Sequence, residues 1–269
     1  MYENCQSCGM PMKKDPQGGG TNADGSKSEM YCSYCYQNGA FTKNCTAEEM
    51  QEFCVGKLKE GGFSESAAEE MVKGIPKLER WKKIIMKKAY IIHNWGGSSK
   101  SGWYPWLKKE LKSKGFETVV FDMPDTKNPK IGTWVKYLED NIQNPDEETI
   151  LIGHTIGCQT ILRYLEKLPE NVKVGKVILV APWIIISGLK EKEIKIAKPW
   201  VENKIDEGKI LNHVEKIIAI FSDNDPYIPA ENQKIFSEKY NAEIIIEHGK
   251  GHFLENDGIT ELPVALKYI

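Results

Sequence analysis

Six short apolar runs, each separated from the next by a polar turn or a segment of helical spacing, leave the chain after residue 85 few folds to choose from. The runs are 89–93, 117–121, 149–153, 176–181, 216–221 and 242–247, with helical segments expected near 103–114, 131–142, 156–168 and 230–240. Two runs, Val-Ile-Leu-Val at 177–180 and Ile-Ile-Ala-Ile-Phe at 217–221, are apolar on consecutive residues. That pattern suits strands covered by helices on both faces. Repeated strand–helix–strand units with right-handed crossovers build a doubly wound α/β fold, a mostly parallel sheet of about six strands. In such sheets ligands sit at the carboxyl ends of the strands, so the residues just after each run are the ones to read for chemistry.

The first 85 residues are organised differently. Five of the seven cysteines fall before residue 46, and the stretch 16–28 is Gly-rich without an apolar period, hence loop or turn. At Thr46 the pattern becomes helical. Thr46 and Glu49 form a capping box, Met50, Phe53, Cys54 and Leu58 repeat at helical spacing, and Gly61-Gly62 ends the run. A second helix starts near Ser64 or Ser66, turns Ala67, Ala68, Met71, Val72 and Ile75 inward, and stops at Pro76. We expect two domains, 1–85 and 86–269.

Charge narrows the partners. The net charge is −2; residues 1–85 hold 11 basic and 12 acidic side chains, the remainder 25 and 26. Neither part carries the footprint of a nucleic-acid or anionic-membrane binder, so neither partner is expected. The longest apolar run, 177–186, is ten residues and contains Pro182, about half of the ~20 a spanning helix needs. The start, Met-Tyr-Glu-Asn-Cys, has no basic or apolar export region. A cytoplasmic, reducing location is the expectation, and cysteines there are metal ligands or free thiols rather than disulfides.

Cys5-Gln-Ser-Cys8 and Cys32-Ser-Tyr-Cys35 are two Cys-x-x-Cys pairs, with 23 residues between them. Two such knuckles supply four thiolates to a tetrahedral Zn²⁺. The competing readings are a redox dithiol or core cysteines, but the intervening segment is too poor in apolar residues to fold alone. A closed four-sulfur shell makes the site structural, and no cofactor is expected for catalysis. Iron in a rubredoxin-like site uses similar ligands. Cys54 reads as helix core; Cys45 has no assigned role.

A run into a helix at Gly153-His154-Thr155-Ile156-Gly157 has the context of a nucleophile elbow, Gly-x-Ser-x-Gly, with Thr in place of Ser. The glycines let strand and helix approach closely, and the turn aims the Ile156 N–H toward a developing oxyanion. After the fifth run comes Ser222-Asp223-Asn224-Asp225-Pro226, and after the sixth His248-Gly-Lys-Gly251-His252. Nucleophile, acid, base in that order is the α/β-hydrolase arrangement. Asp225 is preferred to Asp223 because Pro226 fixes its turn; either could instead cap a helix, and His248 competes with His252. Trp95, after the first run, offers a second oxyanion N–H. Most of Trp95, Trp103, Trp106, Trp134 and Trp183 should pack in the core, with one or two lining an acyl pocket. The segment 183–208 could fold over the site as a lid.

Two resemblances follow from these residues. Cys5-Gln-Ser-Cys8-Gly9-Met10-Pro11, Gly20 to Ser26, Tyr31 to Tyr36, Phe41-Thr42 and Pro76 to Trp81 resemble a zinc-ribbon domain of bacterial and archaeal proteins. That likeness covers about the first 82 residues; it implies zinc on Cys5, Cys8, Cys32 and Cys35 and no activity. His93 to Gly97, Trp103 to Leu107, Met123-Pro124, Asn128-Pro129, Trp134, Gly153-His154, Gly157-Cys158, Asp225 to Pro229 and Gly251-His252 resemble the serine hydrolases related to retinoblastoma-binding protein nine, within the α/β-hydrolase superfamily. That likeness implies Thr155 in the nucleophile place, Asp225 as acid and His252 as base. Asn94 stands where that family usually has Gly.

Threonine at an elbow is the serious departure. The position favours positive φ, an outlier for a β-branched residue, and the methyl crowds an approaching carbonyl. A secondary alcohol can still be activated by histidine. Three readings stay open: a substitution that lowers activity, a working Thr nucleophile, or a domain that lost catalysis and kept its pocket. The expectation is acyl transfer on a small ester or amide with activity reduced by Thr155. The alternative is a non-catalytic module whose zinc ribbon recruits a protein partner.

Overall fold

The computed structural model describes residues 2–82 and 87–269, and each of these two stretches forms a compact unit. The domain boundary expected near residue 85 lies outside the described residues.

In the first unit the two Cys-x-x-Cys turns face each other across the Gly-rich segment. Asp15 organises that segment: its carboxylate accepts from the N–H groups of Gln17, Gly19 and Ser33 and from the Ser33 hydroxyl, tying the loop to the second cysteine turn. Gly20 has no room for a side chain, since a Cβ there would collide with the Tyr36 carbonyl. A two-residue hairpin follows, β1 (Tyr36–Gln37) with β2 (Ala40–Phe41). Helix α1 (Ala47–Glu60) begins at the Thr46–Glu49 capping box, with both reciprocal hydrogen bonds made. Helix α2 (Glu65–Val72) starts at Ser64. The helices bury Met50, Val72 and Ile75 against one another. Arg80 then reaches back, donating to Ser7 Oγ and the Lys43 carbonyl, with its guanidinium over the rings of Phe41 and Trp81.

The second unit is a six-stranded sheet: β3 (Lys88–Ile92), β4 (Glu117–Val120), β5 (Thr149–His154), β6 (Val174–Val180), β7 (Val214–Ser222) and β8 (Glu243–Glu247). The order is β4-β3-β5-β6-β7-β8, and all five pairings are parallel. Every strand overlaps an expected apolar run. Helices α3 (Tyr104–Ser113), α4 (Ile131–Asn141), α5 (Ile156–Leu165) and α8 (Glu231–Tyr240) stand where helical spacing placed them. Burial explains the continuous apolar runs: all six residues of β5 are buried, as are all ten of α5.

Helix α6 (Glu191–Glu202) and two short helices, α7 (Glu207–Asn212) and α9 (Pro263–Lys267), were not signalled by the sequence. Helix α6 is rich in Lys and Glu and carries Pro199 inside, which masks its period; Ala197 and Trp200 anchor it. It docks through Arg163 of α5, which donates to the Trp200 and Asn203 carbonyls, and through Trp200 Nε1 to the Pro129 carbonyl.

The chain reverses its direction of sheet growth at β3, adding β4 on one side and β5 on the other. The switch point therefore lies at the carboxyl ends of β3 and β5, where such folds open a crevice. The loop 93–97 and Thr155 sit there.

Candidate functional site

Thr155 joins β5 to α5 with φ 48° and ψ −105°, a conformation that costs a β-branched residue roughly 1–3 kcal/mol. It is held by Thr155 N–H donating to the Val180 carbonyl at 2.9 Å and by Cys158 N–H donating to the Thr155 carbonyl at 3.0 Å. Close approach demands the flanking glycines. A Cβ on Gly153 would lie 2.7 Å from Cys158 N, and one on Gly157 would collide with the Ile92 carbonyl oxygen and stand 3.0 Å from that of His93. The strand-to-helix turn is thus wedged between β3, β6 and its own helix.

Two His–Asp pairs form beyond β7 and β8, and burial separates them. His248 Nδ1 meets Asp223 Oδ2 at 2.7 Å with side chains 87% and 45% exposed. Its exposed Asp223 carboxyl is held below the usual range, first by the Gly249 N–H and then by His248. His252 Nδ1 meets Asp225 Oδ2 at 2.8 Å with side chains 10% and 1% exposed. Asp225 Oδ1 accepts from the N–H groups of Tyr227 at 2.9 Å and Ile228 at 3.2 Å, the turn that Pro226 sets. The Tyr227 ring stands edge-on to the His252 imidazole, 5.0 Å between centroids.

His252 and the elbow are linked through His154, which precedes Thr155. The His154 and His252 ring centroids are 5.7 Å apart, and His154 Nε2 is 2.8 Å from the His252 carbonyl oxygen. Burial pushes the His154 imidazole down to about 3. His93, also buried and lowered for that reason, is neutral by its contacts: Nδ1–H donates to the Asn94 carbonyl and Nε2 accepts from Met123 N–H.

A cavity of about 220 Å³ opens on the His154 side of the site, lined among others by Asn94, Trp95, Trp103, Tyr104, His154 and Glu255; Thr155, Ile156, Asp225 and His252 are not part of its lining. Trp95 and Trp103 line it, although Trp103 is as fully buried as Trp134 and Trp183, which are core packing. The N–H groups of Ile156 and Trp95 donate to no other group among the described residues. Asn94, the departure from the family's Gly, hydrogen-bonds through its N–H and side chain to the Tyr104 hydroxyl. The segment 183–208 meets the turn after Asp225 near its start, where Ser187 N–H donates to the Tyr227 carbonyl and Gly188 stands against Pro226. Tyr104 and Asp257, whose side chains reach His154 and the His252 N–H, were given no role from the sequence: Tyr104 falls inside the Trp103 to Leu107 stretch that resembles the family, but nothing there marks its hydroxyl, and Asp257 lies in no motif.

In the first unit, Cys5, Cys8, Cys32 and Cys35 place their sulfurs within 4.8 Å of one another. Cys8 Sγ and Cys32 Sγ are 3.8 Å apart, which is the edge of a tetrahedron with Zn–S bonds of about 2.3 Å. Cys32 N–H donates to Cys5 Sγ at 3.3 Å, and Gly9, at φ 77°, closes the first turn. The donor set fits a tetrahedral thiophilic metal. Cys54 lies outside it, its thiol pushed up to about 11 by burial. Cys45 Sγ lies 3.8 Å from an Arg80 nitrogen.

Comparison with known proteins agrees with both units. Residues 4–82 match a zinc ribbon domain model, and residues 89–269 match the serine hydrolase family model. YdeN of Bacillus subtilis (strain 168) is 32% identical over 184 residues, 67% of this chain and 93% of that protein. The serine hydrolase RBBP9 of Rattus norvegicus is 29% identical over 185 residues, 67% of this chain and 94% of that protein. The crystal structure of the ydeN gene product from B. subtilis superposes with a TM-score of 0.63 at 30% identity, covering 68% of this chain and 96% of that one. Est1E from Butyrivibrio proteoclasticus, with ferulic acid bound, shares the fold at 14% identity and a TM-score of 0.51, covering 69% of this chain and 90% of that one. Among the described residues no helix is long and apolar enough to cross a membrane. With its parallel six-stranded sheet and this match over residues 89–269, the chain belongs to the serine hydrolase family of α/β-hydrolases.

Proposed function

We propose that the chain hydrolyses a small ester or amide by two-step acyl transfer, with Thr155 as a slow nucleophile, His252 as base and Asp225 orienting it. The observation that carries this reading is the backbone of residue 155, held at φ 48° although it is β-branched, a strain that persists only where the surroundings enforce it. His252 Nε2 takes the Thr155 hydroxyl proton as the oxygen attacks the carbonyl carbon, and the tetrahedral oxyanion is met by the N–H groups of Ile156 and Trp95. The same imidazole returns the proton to the leaving alkoxide or amine, and a water molecule then repeats the sequence on the acyl-enzyme. Nδ1 stays protonated on Asp225 throughout, which keeps Nε2 free to accept.

Cys5, Cys8, Cys32 and Cys35 would hold a structural Zn²⁺, with no open coordination position for catalysis. Cys45, Cys54 and Cys158, outside that set, are free thiols, which suits a reducing cytoplasm. The second reading, a binding module without turnover whose ribbon recruits a protein, has one observation on its side: Thr155 Oγ1 makes no hydrogen bond to His252 among the described residues. Turnover of small p-nitrophenyl esters by the natural chain, Thr155→Ser and Thr155→Ser/His252→Ala separates the two. Hydrolysis requires a strong gain in the serine variant and its loss with His252. No turnover in either of the first two chains, with a protein retained only by the metal-loaded ribbon, would favour the binding module.

A further inference from the structure

Around the His252 loop, three polar side chains have no task in the acyl-transfer scheme: Tyr104, His154 and Asp257. They meet a backbone that needs holding. Gly251 and Phe253, on either side of His252, have φ of 54° and 56°, and for phenylalanine this is a strained conformation that persists only when neighbours enforce it. Gly251 is required by the approach of Asp257, since a Cβ there would lie 2.5 Å from Asp257 Cγ. Asp257 Oδ2 accepts from the His252 N–H at 2.8 Å and from the Leu254 N–H at 3.0 Å. On the other side of the same residue, His154 Nε2 lies 2.8 Å from the His252 carbonyl oxygen.

The hydrogens follow from what each atom can do. A carbonyl oxygen only accepts, so His154 Nε2 carries a hydrogen. His154 Nδ1 and Asn94 Oδ1 each lie 2.7 Å from the Tyr104 hydroxyl oxygen, and its single proton serves one of them. Given to Asn94, it would oblige Nδ1 to carry its own hydrogen. His154 would then be an imidazolium at 1% exposure with no carboxylate paired to it among the described residues, an expensive arrangement. Given to Nδ1, it leaves the ring neutral, at the cost that the Asn94 amide must turn its NH₂ toward the tyrosine oxygen and give up the 3.1 Å bond that Nδ2–H makes to the Trp95 carbonyl, a smaller cost than a buried unpaired imidazolium.

We infer that His154 is a positioning residue: locked as the Nε2–H tautomer by the Tyr104 hydroxyl, it grips the His252 carbonyl while Asp257 grips the His252 N–H, and together they fix where the imidazole stands. This rests on the proposed role of His252 as base. It assigns the residue before the elbow a job that links nucleophile turn and base loop, so that a shift of one moves the other.

The test has two arms. In the full chain labelled with ¹⁵N-histidine, long-range nitrogen–proton correlation should find His154 neutral, hydrogen on Nε2, and unchanged from pH 5 to 8. A hydrogen on Nδ1, or an imidazolium, overturns the assignment. In the Thr155→Ser chain, His154→Gln keeps an N–H within reach of the His252 carbonyl, and His154→Leu does not. The leucine variant should lose between about tenfold and a hundredfold in kcat, the range a misplaced reacting group costs, with KM within about twofold, and the glutamine variant should recover most of it. Equal losses in the two, or a loss confined to KM, overturn the inference. Should the Thr155→Ser parent hydrolyse nothing, the hydrolase reading fails while the tautomer still decides the clamp.

Discussion

Asparagine at 225, placed in a chain that carries serine at 155, separates the orientation of His252 from the stability of its loop. The Asp225 side chain is 1% exposed and accepts three hydrogen bonds, from His252 Nδ1–H at 2.8 Å, Tyr227 N–H at 2.9 Å and Ile228 N–H at 3.2 Å. Oδ1 serves the two backbone groups and Oδ2 the imidazole. In Asp225→Asn the oxygen keeps the backbone bonds, and the amide nitrogen donates where Oδ2 accepted. His252 Nδ1 must then accept, so the ring hydrogen moves to Nε2, the atom that has to be free for the proton of residue 155. Turnover should fall on the order of 10⁴-fold, the cost of a wrong tautomer in a serine triad, or about 5.4 kcal/mol in the barrier. The melting temperature should barely move. Asp225→Ala, by contrast, leaves two backbone N–H groups unpaired at roughly 1–3 kcal/mol each, and should lose stability as well. The assay is kcat on a p-nitrophenyl ester beside a thermal melt. An asparagine variant within tenfold of its parent, or one that loses activity only in step with its melting, would refute the assigned role.

Gly153→Ala should lower the melting temperature by about 3–10 °C, because its Cβ would stand 2.7 Å from Cys158 N and backbone yields only at about 1–3 kcal/mol; a melt within 1 °C would deny the wedge. Elemental analysis should find one zinc per chain, absent in Cys8→Ser, with Cys5, Cys8, Cys32 and Cys35 unreactive to alkylation until a chelator is added. His154 binds its proton near pH 3 when folded and near 6.5 when unfolded. The unfolded state therefore holds more protons between those values, so stability is complete above about pH 6.5 and falls below it by up to about 1.4 kcal/mol per pH unit. That slope, read from urea unfolding, should flatten in His154→Gln, and an unchanged slope would contradict it.

Physical range decided what the sequence could tell. The strands were legible because β5 and β7 are apolar on consecutive residues and bury both faces. Thr155 was legible because an elbow needs glycines two residues away on each side. The choice of His252 over His248 came from the family likeness at Gly251-His252 and not from the local pattern, since both follow β8 and both face an aspartate; burial in the folded chain is the physical difference between them. The roles of Tyr104 and Asp257 were invisible for a related reason: the network 104–154–252 joins the start of helix α3, the end of strand β5 and the loop after β8, and no local period records such contacts. The hairpin β1–β2 is two residues on each side, below the length at which alternation can be read.

The central claim is that residue 155 is a nucleophile poised by His252. Incubation of the natural chain, Thr155→Ser and Thr155→Ser/His252→Ala with a fluorophosphonate, followed by peptide mass mapping, tests it directly. The account predicts one adduct on residue 155, rapid in the serine variant, slow in the natural chain and absent without His252. An adduct at another residue, or labelling of serine 155 that survives the loss of His252, would contradict it.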